Sequence, residues 1–211
     1  MPLGILQPHL LPYIGYFQLM KAVDAFVVYD DIQFTKSGWI HRNRILVNGK
    51  DEYISLSLKK HSDYLDIGEL SLVDSYQKDN QKLLRRVEGA YKKAPFFNDF
   101  FPVLEEIFGY RERNLFSFLL YSIECICNYL RIDTPIIKSS CLGLNSELKA
   151  QDKVLDICKR LDATTYINLP GGKSLYRDDI FYDCGVDLKY ISNVAVSYPQ
   201  NVNEFVPNLS I

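Results

Sequence analysis

The fold is decided by residues 4–31, whose sequence is GILQPHLLPYIGYFQLMKAVDAFVVYDD. The short apolar run 4–6 ends at a Gln-Pro pair, which is typical of a buried strand entering a loop. Apolar residues then recur at helical spacing and predict a helix over residues 13–22. A second buried strand is predicted at 25–29. A strand, a helix and a strand within about 30 residues form a βαβ unit, so we expect two parallel strands.

The rest of the chain predicts further strands and helices. Asn48-Gly49 lies between apolar runs and predicts a β-hairpin over 44–58, because a type I′ turn needs positive φ at both central residues. After the hairpin we predict an extended segment at 67–72 and helices at 79–93, 95–108 and 114–130. The remaining predicted elements are a strand at 134–140, a helix at 146–161, a strand at 164–168, a short helix at 174–182 and a strand at 186–191. Asn114 and Ser146 are the predicted caps of the helices at 114–130 and 146–161.

This order predicts an α/β fold with an open, mostly parallel, Rossmann-like sheet and helices on both faces. The hairpin and the helical block interrupt the alternation, so we interpret residues 44–130 as an insertion within a single domain of residues 1–211. Ligands bind such a sheet beyond the carboxyl ends of its strands. The loops expected there are 7–15, 30–44, 139–145, 168–174 and 192–200.

Composition limits the class of protein. The chain has 24 Lys and Arg against 26 Asp and Glu, a net charge of -2. That balance argues against general nucleic-acid binding and leaves room for a local basic pocket. Its five cysteines lack a framework spacing and are typical of reduced thiols. The longest apolar stretch, 115–130, is too short and polar to span a bilayer, and no signal-peptide pattern precedes the first strand, so we expect a cytoplasmic protein. The sequence predicts no particular cofactor and no metal site.

The loop after the first strand is the first candidate site. Pro8 and Pro12 stiffen it, and it opens a helix whose N-terminus can receive an anion. The alternative is an ordinary strand–helix turn. We take as ligand-binding candidates Gln7, Tyr13, Gly15 and Tyr16, and as a candidate proton carrier His9.

Two adjacent carboxylates, Asp30 and Asp31, follow the second predicted strand. They could hold sugar hydroxyls, orient an amine or bind Mg²⁺, and we treat both as candidate catalytic residues. Gln33 joins them as a binding candidate. The alternative is a solvated cap or loop charge.

The stretch 36–44 combines the only Trp of the chain with basic residues. Guanidinium groups bind phosphates in a bidentate manner, and an indole stacks on a base or sugar face. The candidates for binding a base and phosphates are Trp39, Arg42, Asn43 and Arg44, with His41 as a second proton carrier. The alternative is a basic loop whose Trp39 fills the core.

Two later strand ends supply the last candidates. Ser139 and Ser140 end the strand predicted at 134–140. The segment 171–174, Gly171-Gly172-Lys173-Ser174, could form an anion nest with a lysine as countercharge. It lacks the Walker A spacing, and a simple turn is the alternative.

Several motifs together resemble the WbqC-like family, named after an open reading frame in bacterial O-antigen gene clusters. The motifs are I-x-Q-P-x-x-x-P-x-x-G-Y-F at 5–17, Y-D-D-x-Q-F at 29–34, G-W-x-x-R-N-R-I at 38–45, A-Y-K-K-A-P at 90–95 and F-x-P-x-L-S at 205–210, with Ser139-Ser140, Gly171-Gly172 and Tyr176. This chain departs from the family pattern at His9, where we expect an aromatic residue, and at His41, where we expect Asn.

The resemblance implies a role in surface-polysaccharide or modified-sugar pathways. We expect a phosphorylated, nucleotide-linked small molecule as substrate. The first hypothesis is a transferase that adds an acyl or aminoacyl group, such as glycyl, to an amino-sugar nucleotide. Under it, Arg42, Arg44 and Lys173 hold phosphates, and Asp30 or Asp31 orients or deprotonates the amine.

Two other hypotheses remain open. The turn at 13–16 is distantly similar to the H-x-G-H turn of the nucleotidylyltransferase superfamily, with Tyr in place of both histidines, so a nucleotidyltransferase using Mg²⁺ at Asp30 and Asp31 is the rival enzyme. The third hypothesis is a non-catalytic nucleotide-sugar-binding module. For the site as a whole, we predict one cleft lined by Gln7, Tyr13, Asp30, Arg42 and Gly171.

Overall fold

A computed structural model of the protein describes residues 1–62, 64–145, 147–192, 198–200 and 204–210. It confirms the predicted α/β class, with a parallel sheet, flanking helices and an antiparallel hairpin. The strands are β1 Pro2–Leu6, β2 Ala25–Val28, β3 Arg42–Val47, β4 Lys50–Ser55, β5 Ile136–Lys138, β6 Thr165–Asn168 and β7 Asp187–Tyr190. The helices are α1 Ile14–Lys21, α2 Tyr76–Tyr91, α3 Phe97–Gly109, α4 Leu115–Leu130, α5 Ala150–Arg160 and α6 Asp178–Asp183.

The chain divides into two compact units. The first comprises Met1–Gln7, Gly15–Asp31 and Ile132–Val194, and the second comprises Pro8–Ile14, Ile32–Arg131 and Ala195–Ile211. The predicted insertion at 44–130 falls within the second unit.

The first unit contains the parallel sheet, in the strand order β5-β2-β1-β6-β7. All four pairings within the described residues are parallel, so the strands end at the same edge. The strand order reverses beside β1, and such a reversal is where open α/β sheets bind ligands. The sheet therefore has a carboxyl edge of the kind that the sequence predicts.

Buried apolar side chains hold the helices on this sheet. β2 is buried along its whole length, which is typical of a parallel strand covered on both faces. Helix α5 packs Val154, Ile157 and Cys158 into the core that Leu3, Ile5, Val27 and Tyr166 share. Full burial of one such aliphatic side chain stabilises the fold by about 1.5–3 kcal/mol. β1 also needs Gly4, because a Cβ there would lie 2.9 Å from the Phe26 ring.

The second unit contains the hairpin and the helices α2 to α4. At the turn, Asn48 and Gly49 have φ of 50° and 81°, which confirms the type I′ prediction. The Asn114 side chain accepts a hydrogen bond from Ser117 N at 2.9 Å, so the predicted cap of α4 is also confirmed.

Some local predictions are wrong. Residues 67–72 were expected to be extended, but Ile67–Glu69 forms a 3-10 turn, in which Glu69 N donates to Asp66 O at 3.0 Å and Asp66 N to the Glu69 carboxylate at 2.9 Å. Only Ser71 and Leu72 are extended, in isolated antiparallel bridges to Asn114 and Leu58. The helix expected at 174–182 is instead a 3-10 segment, Pro170–Leu175, followed by α6. Helix α5 begins at Ala150, and its predicted cap, Ser146, lies outside the described residues.

Candidate functional site

In the first unit, the ends of β2 and β5 bring two polar segments together. The strands are neighbours, and their register places Val28 beside Lys138. The residues that follow, Asp30-Asp31 and Ser139-Ser140, therefore meet at the carboxyl edge. The sequence predicted both segments as candidates but gave no pairing between them.

Three neutral polar groups surround the Asp30 carboxylate. Its Oδ1 accepts from Ser140 N at 2.9 Å and lies 3.0 Å from the Ser139 hydroxyl, while its Oδ2 accepts from the Ser140 hydroxyl at 2.6 Å. Asp30 N in turn donates to Ser139 Oγ at 3.2 Å. These bonds fix the orientation of the carboxylate, and no Lys or Arg in the described part of the chain pairs with it.

Asp31 has a cationic partner. Lys153 Nζ on α5 lies 3.0 Å from Asp31 Oδ2 and donates to Asp31 O at 2.8 Å. The same ammonium lies 5.4 Å from the centroid of the Tyr29 ring, and the Ser139 hydroxyl also contacts Asp31 Oδ1. We call Asp30, Asp31, Ser139, Ser140 and Lys153 the carboxylate cluster.

Lys153 is the residue that sequence reasoning missed. It is only 8% exposed, and a lysine is rarely so buried unless its charge is paired. A signal existed in the sequence, because Lys153 has the helical spacing of the apolar stripe formed by Ala150, Val154 and Ile157. A charged residue on the buried face of an amphipathic helix indicates a buried partner.

The charges of the carboxylate cluster do not cancel. Two carboxylates and one ammonium leave a surplus of one negative charge. Ser140 is exposed and Asp30 is partly exposed, so the surplus charge can be reached from solvent. Such an arrangement can bind a cationic group or accept a proton from it.

Other predicted residues of the first unit have structural contacts. The buried Tyr16 ring lies against Phe26, and its hydroxyl donates to Gln7 O at 3.2 Å. Gly15 is buried in α1. In this position Tyr16 packs in the core and ties the end of β1 to the first helix.

The glycine segment follows β6 at the same edge of the sheet. Gly172 packs on buried Asn168, since a Cβ at Gly172 would lie 2.5 Å from Asn168 Nδ2. Gly171 and Ser174 are exposed, and the Lys173 ammonium lies 5.5 Å from the centroid of the Tyr190 ring. Lys173 is thus a cation at this edge, and its role as a countercharge stays a prediction.

In the second unit, the basic stretch becomes the start of the hairpin. Arg42 donates from Nε to Gly38 O at 3.1 Å and from Nη2 to Ser37 O at 2.6 Å. Arg44 Nη1 pairs with Asp51 at 2.7 Å. We call Trp39, Arg42, Arg44, Asp51 and Tyr53 the arginine hairpin.

Aromatic rings accompany these arginines. Trp39 and Tyr53 are stacked with centroids 6.2 Å apart and remain 37% and 53% exposed. The Arg42 guanidinium lies 4.9 Å from the Tyr53 centroid, and that of Arg44 lies 5.5 Å from Trp39. Trp39 therefore does not fill the core, and its exposed surface can stack on a planar ligand.

Asn43 holds the backbone of the first loop. It is buried, and its Nδ2 donates to Leu10 O at 2.8 Å and to Leu11 O at 2.7 Å. Leu11 has a positive φ of 42°, and its carbonyl also accepts from the Ser210 hydroxyl at 2.9 Å. The contacts of Asn43 are thus structural ones, although the sequence placed it among the ligand-binding candidates.

The two candidate proton carriers are disfavoured as cations. Burial lowers the pKa of His9 to about 4. Burial, followed by the charges of Arg42 and His61, also lowers the pKa of His41, whose ring lies 5.2 Å from that of Phe34. Both imidazoles are therefore mainly neutral near pH 7.

The remaining candidates of the second unit are less informative. Tyr13 is partly exposed, and Gln33 is exposed beside Asp66 in an isolated antiparallel bridge. The prediction that Gln7, Tyr13, Asp30, Arg42 and Gly171 line one cleft stays a prediction.

Two kinds of feature are absent from the described residues. These residues contain no group of three or more His, Cys, Asp or Glu placed to hold a metal ion. None of their helices is both long and apolar enough to cross a membrane.

Comparison with known proteins supports the motifs. A model of the WbqC-like protein family matches residues 7–211. The chain belongs to this family. It is 26% identical over 210 residues to "Uncharacterized protein Rv1507c" of Mycobacterium tuberculosis (strain ATCC 25618 / H37Rv), which covers 99% of this chain and 90% of that protein. No solved structure matches the chain.

Several WbqC-like motifs now have a physical role in this chain. The Y-D-D motif supplies the carboxylates that bind Ser139 and Ser140. Asn43 of the R-N-R motif holds the Leu10 and Leu11 carbonyls. Tyr91 of the A-Y-K-K motif accepts a hydrogen bond from Leu46 N on β3 at 2.7 Å.

Proposed function

We propose that this WbqC-like protein is a transferase of surface-polysaccharide or modified-sugar biosynthesis. It adds an acyl or aminoacyl group, such as glycyl, to the amine of an amino-sugar nucleotide. The observation that carries the proposal is the surplus negative charge of the carboxylate cluster, at the edge where parallel sheets bind ligands. The ammonium group of an amino sugar complements that charge, whereas an N-acetylated sugar does not.

The reaction needs a base beside the amine. The amine nitrogen attacks the carbonyl carbon of an activated donor, such as a thioester or acyl phosphate. The new C–N bond forms, and the bond between the carbonyl carbon and its leaving group breaks. Before the attack, the bound ammonium gives one proton to the carboxylate of Asp30 or Asp31, which acts as general base. The second proton that nitrogen loses passes to the leaving group as the bond between the carbonyl carbon and that group breaks. The fixed orientation of Asp30 favours this role, because its donors hold it in one geometry.

The nucleotide end of the substrate needs cations and hydrogen-bond donors. In the first unit, Lys173 and the backbone N–H of Gly171 are the candidates for phosphate binding, since the Gly172 N–H donates to Leu169 O at 2.9 Å within the 3-10 segment. The phosphate role of Arg42 and Arg44, and the stacking role of Trp39, remain proposals for the second unit. There, Arg42 and Arg44 have other partners, and the arginine hairpin would have to use their remaining N–H groups.

A thermal-shift experiment with matched sugars tests the proposal. UDP-glucosamine and UDP-N-acetylglucosamine differ only in the acetylation of the amine, and the dTDP-linked 4-amino and 4-acetamido sugars form a second pair. A ligand that binds only the native state raises Tm by mass action. We expect the free-amine member of at least one pair to raise Tm more than its acetylated partner. Equal shifts within both pairs, or none, would contradict the proposal.

The rival hypotheses give other results in the same experiment. A nucleotidyltransferase would be stabilised by ATP or CTP with Mg²⁺, and a non-catalytic module would bind nucleotide sugars without turning over an activated donor. One observation weighs against metal chemistry at the Asp pair, since the Lys153 ammonium lies 3.0 Å from Asp31 Oδ2. A divalent cation bound to both carboxylates would face this ammonium at close range.

A further inference from the structure

We infer that the two adjacent carboxylates have different roles, with Asp30 contacting the amine of the substrate and Asp31 acting as a positioning residue held by buried Lys153. The inference rests on the proposed function, which supplies the amine. It decides between the two carboxylates, which the sequence leaves equivalent.

Lys153 is committed to Asp31. Its ammonium contacts Asp31 O, Asp31 Oδ2 and the face of the Tyr29 ring, at 2.8, 3.0 and 5.4 Å. Two of the three N–H groups of the ammonium thus meet oxygens of Asp31, and the Tyr29 ring adds a cation–π contact. The charge of Asp31 is therefore neutralised within the fold, and a ligand amine at Asp31 would have to compete with a buried cation.

Asp30 is organised differently. Its polar neighbours are two hydroxyls and one backbone N–H, none of which carries a charge, and the single Ser139 proton is shared with Asp31 Oδ1. A carboxylate has about four acceptor positions, and Oδ2 of Asp30 receives a single bond from the exposed Ser140 hydroxyl. Asp30 can therefore accept one more donor from the solvent side while its charge remains uncompensated.

Lys153 influences Asp30 through a short chain of contacts. The buried Ser139 hydroxyl touches both Asp30 Oδ1 and Asp31 Oδ1. Fixing Asp31 through Lys153 thus fixes Ser139, and Ser139 in turn helps to fix Asp30. Lys153 and Asp31 act on the amine through Asp30 and need not touch it.

The ion pair is tested first without any ligand. Urea unfolding is measured for Asp31→Asn, Lys153→Met and the double variant, with exposed Lys159→Met on the same helix as the control. Each single variant leaves one buried group unpaired, so we expect both to lower the urea midpoint clearly. The urea midpoint of the double variant should fall by much less than the sum of the two single decreases, and that of Lys159→Met should hardly change. Additive losses would overturn the assignment of Lys153 to Asp31.

The division of roles is tested by binding. Calorimetry measures the preference of each variant for UDP-glucosamine over UDP-N-acetylglucosamine, or for the dTDP-linked pair if the wild type binds that pair. Asp30→Asn should reduce the preference roughly tenfold or more, because a neutral amide oxygen replaces the charged acceptor of the ammonium. The double variant Asp31→Asn/Lys153→Met keeps Asp30 and the surplus of one negative charge. It should bind both sugars more weakly by a similar factor and retain the preference.

The outcomes separate this inference from the proposed function. The division of roles is overturned if the double variant loses the preference for the free amine, or if Asp30→Asn keeps that preference. In either case, a preference of the wild type for the free amine still supports the transferase. Absence of any preference in the wild type overturns the proposed function and, with it, the amine contact of Asp30. The urea measurements then still decide whether Lys153 holds Asp31.

Discussion

The carboxylate cluster and the arginine hairpin look equivalent in sequence, since each is a short charged run beside a strand. They differ in how their charges are paired. Arg42 donates to carbonyls of its own loop and Arg44 pairs with Asp51, so the hairpin uses its cations locally. The carboxylate cluster receives its one cation from Lys153, which lies 122 residues after Asp31, and keeps one negative charge in surplus. A charged run predicts a binding site only when its partners are known.

The largest effect is expected for His9, which the sequence grouped with the catalytic candidates. Because the folded-state pKa of about 4 lies below the ordinary value of 6.5, the unfolded chain binds more protons between these values. The contribution of His9 to stability is therefore complete above pH 6.5 and is lost as the pH falls to 4. At 1.36 kcal/mol per pKa unit, the loss is about 3 kcal/mol.

Urea unfolding at pH 7 and at pH 4.5 measures this effect in the wild type and in His9→Gln. The variant should lose less stability than the wild type on acidification. If acidification lowers the free energy of unfolding of the two proteins equally, His9 is not buried as a neutral group. It would then again be a candidate proton carrier near pH 7.

The next effect concerns Asn43, whose contacts are structural. Asn43→Ala removes the donor for the Leu10 and Leu11 carbonyls, and an unsatisfied buried polar group costs about 1–3 kcal/mol. We expect a loss of about 2–3 kcal/mol in the free energy of unfolding. Asn98→Ala, at an exposed position of α3, is the matched control and should change little. If Asn43→Ala keeps its stability but binds nucleotide sugars more weakly, Asn43 contacts the ligand as the sequence predicted.

Arg42 and Arg44 provide the direct test of the arginine hairpin. If they hold phosphates, replacing either by Ala weakens nucleotide-sugar binding by about 1.5–3 kcal/mol, and Lys restores only part of it. Because Arg42 also holds the loop before β3 and Arg44 pairs with Asp51, the conformation must be checked separately. Trp39 is the only Trp of the chain, so its fluorescence reports on this hairpin alone.

Two results would be informative. A variant with unchanged Trp39 emission and weaker binding supports a phosphate contact. Unchanged affinity in the double variant Arg42→Ala/Arg44→Ala would make the arginine hairpin purely structural.

The sequence predicted the elements of the fold well, because they depend on local periodicity. The βαβ unit at 4–31, the Asn48-Gly49 turn and the Asn114 cap all rest on signals within a few residues. The segment 67–72 was predicted only in part, since residues 71 and 72 are extended but bonds between Asp66 and Glu69 form a turn before them.

The site was only partly predictable for the same physical reason. Asp30 and Ser139 were identified separately, but their contact depends on β2 and β5 being neighbours, which no local pattern contains. Lys153 was overlooked because a lysine on a helix is normally solvated. The contacts of Asn43 and Arg42 are with backbone carbonyls, which carry no sequence signature at all.

The smallest effect separates two adjacent glycines at the carboxyl edge of the sheet. Gly172→Ala places a Cβ 2.5 Å from Asn168 Nδ2, and overpacking of this kind costs about 1–3 kcal/mol, here near the lower end because a side chain can shift. Gly171→Ala is the matched control, since a Cβ there meets nothing within 4 Å. Because this change restricts the unfolded chain, it should stabilise the folded protein by about 0.4–1 kcal/mol. Thermal unfolding of both variants measures the difference. If Gly171→Ala keeps its stability but loses affinity for a nucleotide sugar, the exposed glycine is needed for close approach of the ligand, and the segment 171–174 binds it. If both variants bind normally, the segment is a turn whose second glycine only makes room for Asn168.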